Sequence, residues 1–186
     1  MRGEQFQAVL AGARAGAEWA VSVLYREYYP RLVRYLRAQE SAEGEDLAAE
    51  AWLDAARGLG RFEGDEEAFN RWIFTIARRR LIDLRRRRSR SKRALGAASQ
   101  LTERPDVEGA GAVVLAASET DAALTRIASL PSDQAEVVLL RVVAGLDVAD
   151  VARILDKKPG TVRVLQHRAL KRLAEELVRE GRAVTR

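Results

Sequence analysis

Residues 146–173, LDVADVARILDKKPGTVRVLQHRALKRL, decide how this part of the chain folds. Apolar residues repeat at helical spacing over 148–155 and again over 162–173, and the sequence DKKPG at 156–160 separates the two repeats. Two short helices joined by a tight turn, the second of them basic, are typical of a helix-turn-helix, whose second helix enters the DNA major groove. The alternative for this segment alone is an ordinary helical hairpin with a solvated charged face.

The other periodic segments also have helical spacing. None alternates strictly between apolar and polar residues as a strand does, and the chain has only four prolines. The repeats predict helices over residues 4–15, 17–39, 43–58, 119–130, 134–144 and 148–155, a fourth helix that begins near Glu66 and continues into an arginine-rich run, and a last helix that ends near Arg179. We therefore expect an all-α protein.

The helical pattern is lost between Ser89 and Ser118. This stretch is rich in Ser, Ala and Gly and has no sustained amphipathic repeat. A loop of this length is unusual inside a compact domain. The sequence therefore predicts two small helical domains, residues 1–90 and 119–186, joined by a flexible linker over 91–118. The alternative is a weakly patterned helix that packs within a single domain.

The charges are distributed unevenly. The chain has 32 Lys and Arg against 27 Asp and Glu, a net charge of +5, and many of its arginines lie between residues 78 and 93. Such clustering favours a polyanionic partner. No apolar run approaches the roughly 20 residues that span a bilayer, and the N-terminus lacks the apolar core of a secretory signal. We expect a cytoplasmic protein without membrane insertion.

The residues that most catalytic sites require are missing. There is no cysteine, the only histidine is His167 in the basic helix, and neither GxxxxGK[ST] nor GxGxxG occurs. Acidic pairs such as Glu66 and Glu67 lie in polar segments, where exposed charge is the simpler interpretation. We expect no catalytic residue, no metal site and no cofactor.

The helix that begins near Glu66 has a basic face. Arg71, Thr75, Arg78, Arg79 and Arg86 share one side of it, away from the apolar stripe, and such a face can follow phosphates. The loop before it, FEGDEE at 62–67, lies beside aromatic residues and is placed to hold an unstacked base. The alternative for Phe62, Phe69 and Trp72 is that all three are plain core residues. For Phe69 and Trp72 we favour the core, because large aromatic side chains are usually buried.

The segment EDLAAEAWLDAARGLGRF at 45–62 predicts a helix with an acidic strip. The strip consists of Glu45, Asp46, Glu50 and Asp54, and the expected inward residues are Leu47, Ala51, Leu53 and Ala55. The strip is either a solvated face or a docking surface for a basic pair of helices.

The order and spacing of these segments resemble an extracytoplasmic-function (group IV) sigma factor of bacterial RNA polymerase, a member of the sigma-70 family that has only regions 2 and 4. The segments that carry the resemblance are DLAAEAWLDAARGLGRF, AFNRWIFTIARRRLIDLRRR and LPSDQAEVVLLRVVAGLDVADVARILDKKPGTVRVLQHRALKRL. It covers almost the whole chain, and the Ala- and Arg-rich composition is similar to that of actinobacterial members.

The resemblance implies a non-enzymatic protein that binds core RNA polymerase, through its β′ clamp and β flap, and promoter DNA, and that an anti-sigma factor usually restrains. It implies three sets of site residues. Those for the polymerase are Asp46, Leu47, Glu50 and Asp54. Those for the minus-ten element are Phe62, Glu63, Gly64, Asp65, Asn70, Arg71, Arg78, Arg79 and Arg86. Those for the minus-thirty-five element are Lys158, Thr161, Arg163, Val164, His167, Arg168 and Lys171.

The chain departs from the family pattern at one point in the basic helix. Many members have a basic residue where Leu165 stands and an apolar one where Gln166 stands. The sequence therefore leaves open which of Val164, Leu165 and Gln166 faces the base edges. Two other functions remain open, a stand-alone helix-turn-helix regulator and a helical adaptor without DNA contact, although the arginine cluster disfavours the adaptor.

Overall fold

The computed structural model describes residues 3–98 and 119–184. Within these ranges the chain is helical and contains no strand, which confirms the expected all-α fold. The elements are α1 (Gly3–Arg14), α2 (Glu18–Arg37), α3 (Gly44–Gly58), a 3₁₀ turn (Leu59–Arg61), α4 (Glu66–Ala98), α5 (Glu119–Ala128), α6 (Ser132–Val142), α7 (Val148–Leu155) and α8 (Pro159–Val184).

The first half of the protein, α1 to α4, packs around the buried ring of Phe69. The ring centroids of Tyr28, Phe62 and Trp72 lie 4.9, 5.2 and 5.5 Å from that of Phe69. The ring of Phe6 lies on α1 at 5.6 Å. Aromatic pairs in such geometries add about 0.5–1.5 kcal/mol beyond the burial of their area. The cluster therefore fixes the loop after Phe62 against the start of α4.

The second half, α5 to α8, contains the helix-turn-helix that the sequence predicts. The carboxylate of Asp147 accepts a hydrogen bond of 2.7 Å from the backbone N–H of Asp150 and so caps the start of α7. Asp156 ends α7 with a φ of 51°, a left-handed conformation that short polar side chains tolerate. Val162 and Ala169 are fully buried, so the apolar face of α8 determines which of its residues point outward.

Two helices are longer than the sequence suggested. α4 continues to Ala98 and so includes the first eight residues of the expected linker; the rest of that segment, 99–118, lies outside the described residues. α8 continues through Gly181 to Val184 instead of ending near Arg179. A glycine within an exposed helix costs only about 1 kcal/mol relative to alanine, so the neighbouring residues can carry the helix past it.

The two halves contact each other. α4 packs beside α7, and side chains of α2 and α4 reach the residues that join α6 to α7.

Candidate nucleic-acid interface

The structure determines the rotation of α8. Val164 is 49% exposed, whereas Leu165 and Gln166 are half-buried. Of the three residues that the sequence left open, Val164 therefore lies on the outer side of the helix. The other residues expected to contact the minus-thirty-five element are also exposed: Lys158, Thr161, Arg163, His167, Arg168 and Lys171.

The acidic strip of α3 differs from the sequence expectation in its leucines. Leu47 is only 6% exposed and packs into the core, as its apolar spacing predicted, although the resemblance assigned it to the polymerase surface. Leu53, expected to face inward, is 53% exposed. The reason is geometric, because α3 buries Ala48, Ala51 and Ala55, and this leaves Leu53 on the opposite side with the carboxylates. Leu53 therefore gives this surface an apolar centre that sequence reasoning missed.

The guanidinium of Arg80 on α4 holds two carboxylates of the strip. It donates hydrogen bonds of 2.7 Å to Asp54 and 3.1 Å to Glu50. The hydrogen bond to Asp54 is the main reason that the pKa of Arg80 is raised. Among the described residues, Asp46 makes no such pair and is exposed. The free negative charge of the strip is therefore concentrated at Asp46.

The loop between the 3₁₀ turn and α4 is held by side chains of α1. Arg14 donates a hydrogen bond to the carbonyl of Phe62, and Gln7 donates one of 3.1 Å to the carbonyl of Gly64. The carboxylate of Asp65 accepts a hydrogen bond of 2.8 Å from the backbone N–H of Ala68. Gly64 has a φ of 149°, and a Cβ there would lie 2.8 Å from that of Ala68, so a side chain would strain the loop.

The ring of Phe62 is buried, so it supports the loop from below. Glu63, Gly64 and Asp65 are exposed. Beside the loop lies an open cleft of about 680 Å³, whose lining includes Arg61, Phe62, Arg71, Trp72, Thr75 and Arg153. This cleft has aromatic and cationic walls, the two features that hold an unstacked base.

Three of the residues expected to bind the minus-ten element contact the second half of the protein. Arg71 donates a hydrogen bond of 2.8 Å to Asp150, and Arg78 donates one of 2.9 Å to Glu136. The side-chain amide of Asn70 donates a hydrogen bond of 2.6 Å to the carbonyl of Ala144. By contrast, Arg79 and Arg86 are exposed.

Arg31 of α2 strengthens the contact between the halves, a role that no sequence pattern indicated. It donates hydrogen bonds of 3.2 Å to the carbonyl of Val143 and 2.5 Å to that of Ala144. Its guanidinium carbon lies 5.4 Å from the ring centroid of Tyr28, a cation–π distance. Arg31 therefore provides hydrogen-bond donors to two carbonyls that follow α6, while its guanidinium packs on an aromatic ring in the core of the first half.

Tyr35 adds a buried polar contact to the same junction. Burial is the main cause of its raised pKa, so its hydroxyl remains protonated and donates a hydrogen bond of 3.4 Å to Glu136. Glu136 thus accepts from Arg78 and from Tyr35, both in the first half.

The described ranges, 3–98 and 119–184, contain no group of three or more acidic or histidine side chains placed to hold a metal ion. In the same ranges no helix combines the length and the apolar character needed to cross a membrane.

Comparison with known proteins identifies the family. The model of Sigma-70 region 2 matches residues 24–91, and that of Sigma-70, region 4 matches residues 120–173. Over 97% of its length the chain is 31% identical to the ECF RNA polymerase sigma factor SigD of Mycobacterium tuberculosis, 88% of which is covered. The chain belongs to the ECF RNA polymerase sigma factors. The resemblance seen in the sequence is thereby confirmed.

Other sigma factors are similar to a comparable degree. ShbA of Streptomyces griseus is 33% identical, with 89% of this chain and 92% of the relative covered. Among solved structures, the sigma factor RpoE in complex with the anti-sigma factor NepR from Bartonella quintana has a TM-score of 0.63 at 22% identity, covering 84% of this chain and 95% of that chain. At such identity this likeness shows the shared fold.

The family match gives names to the two halves. We call residues 24–91 region 2 and residues 120–173 region 4. The contacts of Arg31, Asn70, Arg71 and Arg78 with the second half are then contacts between region 2 and region 4. Region 4 presents carboxylates and carbonyl oxygens to these side chains, the same kind of acceptor that a DNA phosphate offers. Region 4 therefore occupies donors of a kind that could otherwise bind phosphates.

Proposed function

We propose that this chain binds core RNA polymerase and directs it to a two-part promoter, where it supports strand opening. The observation that carries the proposal is the match to both Sigma-70 regions, in order, on one chain. The relatives are named as RNA polymerase sigma factors, which supports this function over a stand-alone regulator, the main alternative left by the sequence.

The surface for the polymerase is the outer face of α3, defined by Asp46, Glu50 and Leu53. The partner that we propose is the helical β′ clamp, with the carboxylates meeting basic residues and Leu53 filling the apolar centre. Asp54 contributes indirectly, because it accepts a hydrogen bond from Arg80 that holds the acidic side of α3 against α4. Region 4 would meet the β flap.

The two protein surfaces that we propose bind DNA differ in what they recognise. The exposed side of α8, with Arg163, Val164 and His167, reads base edges of the minus-thirty-five element in the major groove. The loop at 63–65 and the basic face of α4 hold the opened minus-ten strand. Because Arg71 and Arg78 now pair with region 4, region 2 becomes fully available to DNA only after the two regions separate.

The proposed action is binding without covalent chemistry. Phosphate contacts supply affinity and a few base contacts supply specificity, and the free energy of binding drives strand separation. Because the proposed partners are core RNA polymerase and promoter DNA, we propose that the protein acts in the cytoplasm. We further propose that an anti-sigma factor restrains the protein, because the solved structures of similar fold include sigma factors bound to anti-sigma partners.

The test of this function is transcription in vitro with purified core polymerase. We expect core polymerase with this chain to start at discrete promoters, whereas the chain alone should hydrolyse and transfer nothing. Start sites mapped across a genomic template measure the result. Initiation no more specific than that of core polymerase alone would contradict the proposal, and specific binding of an operator by the chain alone would favour a stand-alone regulator.

A charge reversal at Asp46 tests the polymerase surface. We expect Asp46→Arg to weaken binding to core polymerase, because like charges across an interface cost several kcal/mol. Reversal of an exposed charge usually changes folding stability by less than about 0.5 kcal/mol, so the fold should be retained. Titration of labelled chain with core polymerase provides the affinity.

The matched control for Asp46→Arg is Glu27→Arg, an equal change of charge at an exposed position on α2. Leu53→Ser tests the apolar centre of the same surface separately. Equal affinities for the wild type, Asp46→Arg and Leu53→Ser would remove the outer face of α3 from the polymerase interface.

A further inference from the structure

Helix α1 lies ahead of region 2 in the chain, yet two of its side chains hold the loop at 62–65. Arg14 donates a hydrogen bond to the carbonyl of Phe62, and Gln7 donates one of 3.1 Å to the carbonyl of Gly64. These contacts join residues that are 48 and 57 positions apart in the sequence. The conformation of the loop therefore depends on a helix that is remote from it in the chain.

Both donors are presented by a helix that is itself fixed on the core. Phe6 and Leu10 of α1 are buried, and the ring centroid of Phe6 lies 5.6 Å from that of Phe69. Gln7 and Arg14 are seven residues apart, which is about two turns of helix, so they lie on one face of α1. This face is the side of α1 that holds the loop.

The middle of the loop needs such contacts, because Gly64 gives it conformational freedom. Glycine loses more conformational freedom on folding than any other residue. The buried ring of Phe62 fixes the start of the loop. The carboxylate of Asp65 fixes its end, where it accepts a hydrogen bond from the backbone N–H of Ala68. Between these two anchors, the donors of α1 determine how the peptide groups are oriented.

The orientation of the carbonyls determines where the loop presents its N–H groups. In a planar trans peptide group the carbonyl and the N–H point in opposite directions. The carbonyl of Phe62 shares its peptide group with the N–H of Glu63, and the carbonyl of Gly64 shares its own with the N–H of Asp65. Since α1 holds both carbonyls, both N–H groups point away from α1. Residues 63–65 are exposed, so these donors can meet the acceptor atoms on the edge of a base.

We propose that Gln7 and Arg14 are positioning residues for the base that the loop holds in the minus-ten element. They act without touching DNA, because they orient two peptide groups whose N–H donors contact the unstacked base. Neither residue was expected from the sequence to belong to a site. The inference rests on the proposed function, since it requires the loop to hold a base of the opened strand.

The experiment is promoter selection by core polymerase with the full chain, from templates randomised at the minus-ten element. Gln7→Met keeps the length of the side chain but removes its donor. We expect it to lower the preference for the selected base about two- to tenfold, the effect of one hydrogen bond, and to leave selection at the minus-thirty-five element unchanged. The control is Ala8→Met, which places the same side chain at an exposed position on another face of α1 and should select as the wild type does.

Arg14→Ala should lower the minus-ten preference to a similar extent. Arg14→Lys should restore part of it, because an ammonium group can donate to the same carbonyl. The salt dependence of promoter binding separates positioning from a direct phosphate contact of Arg14. Positioning leaves the slope of log K against log [salt] unchanged, whereas loss of one phosphate contact lowers it by about 0.9. Arg26→Ala, an equal change at an exposed position on α2, is the control.

Wild-type selection by Gln7→Met or by Arg14→Ala would overturn the proposal for that residue, and a lowered salt slope would assign Arg14 to the phosphates instead. A lower melting temperature together with weaker selection at both promoter elements would also overturn the proposal, because it would show a role in folding alone. Failure of the wild-type complex to select any promoter would instead refute the proposed function.

Discussion

The double variant Glu136→Gln with Asp150→Asn is expected to make the free chain bind minus-ten DNA much more tightly than the wild type does. These two carboxylates hold Arg78 and Arg71 at 2.9 and 2.8 Å. Both amide replacements keep the shape of the side chain but remove its charge. The region 2 arginines should then become available to the phosphates of an opened strand.

The size of this effect follows from the two ion pairs. A hydrogen bond between charged groups contributes about 1.5–3 kcal/mol, and partial exposure of Arg71 and Arg78 reduces this to about 1–2 kcal/mol for each pair. Loss of both should therefore shift the equilibrium between closed and separated regions about a hundredfold, since about 1.4 kcal/mol corresponds to a factor of ten. DNA affinity should rise until the separated form predominates.

The measurement is fluorescence anisotropy with forked minus-ten DNA, together with the radius of gyration from X-ray scattering. The matched control is Asp133→Asn with Glu176→Gln, which removes two negative charges from the second half at positions away from region 2. An equal gain of affinity in this control would show that net charge alone is responsible. An unchanged radius of gyration in the test variant would show that the two regions had not separated.

The helix-turn-helix was predictable because its signals are local. The apolar period of α7 and α8 sets their inner faces, and Asp147 stands where a helix N-cap is needed. Pro159 begins α8, the position at which proline is best tolerated. Signals of this kind act between residues that are close in sequence, so they can be recognised without knowledge of the tertiary contacts.

The inner face of α3 was harder to predict. The sequence correctly placed Leu47, Ala51 and Ala55 on the inner face, but it added Leu53, which lies on a different side of the helix. Packing against α2 and α4 buries Leu47 and leaves Leu53 exposed. The choice depends on neighbours that are remote in sequence, and hydrophobic periodicity does not identify those neighbours.

The contact between the regions had no signal in the sequence. Arg31 and Ala144 are 113 residues apart, and Arg71 and Asp150 are 79 apart. Arg71 and Arg78 form a basic face that is equally suited to phosphates and to carboxylates. Sequence reasoning assigned them to DNA, and the structure adds an acidic partner within the same chain.

The second large effect concerns the reading of the upstream promoter element. We expect Arg163→Ala to cost about 1–3 kcal/mol of binding and to relax base preference at one position, because a bidentate contact from arginine to guanine contributes this much to discrimination. Promoter selection from a randomised minus-thirty-five element measures the preference directly. Arg163 is exposed on α8, so removal of its side chain should leave the fold unchanged.

Arg79→Ala should produce a different result, and the comparison separates base reading from phosphate binding. Arg79 is exposed on α4, and among the described residues it forms no hydrogen bond or ion pair with region 4, so its loss should weaken promoter opening on all sequences alike. The salt slope should fall by about 0.9, as for one phosphate contact. If α8 and α4 only presented solvated charge, neither variant would have a measurable effect. If Arg163→Ala left the selected sequence unaltered while Val164→Ala changed it, the base-reading surface would be centred on Val164 and His167, and Arg163 would lie at its edge, facing the backbone.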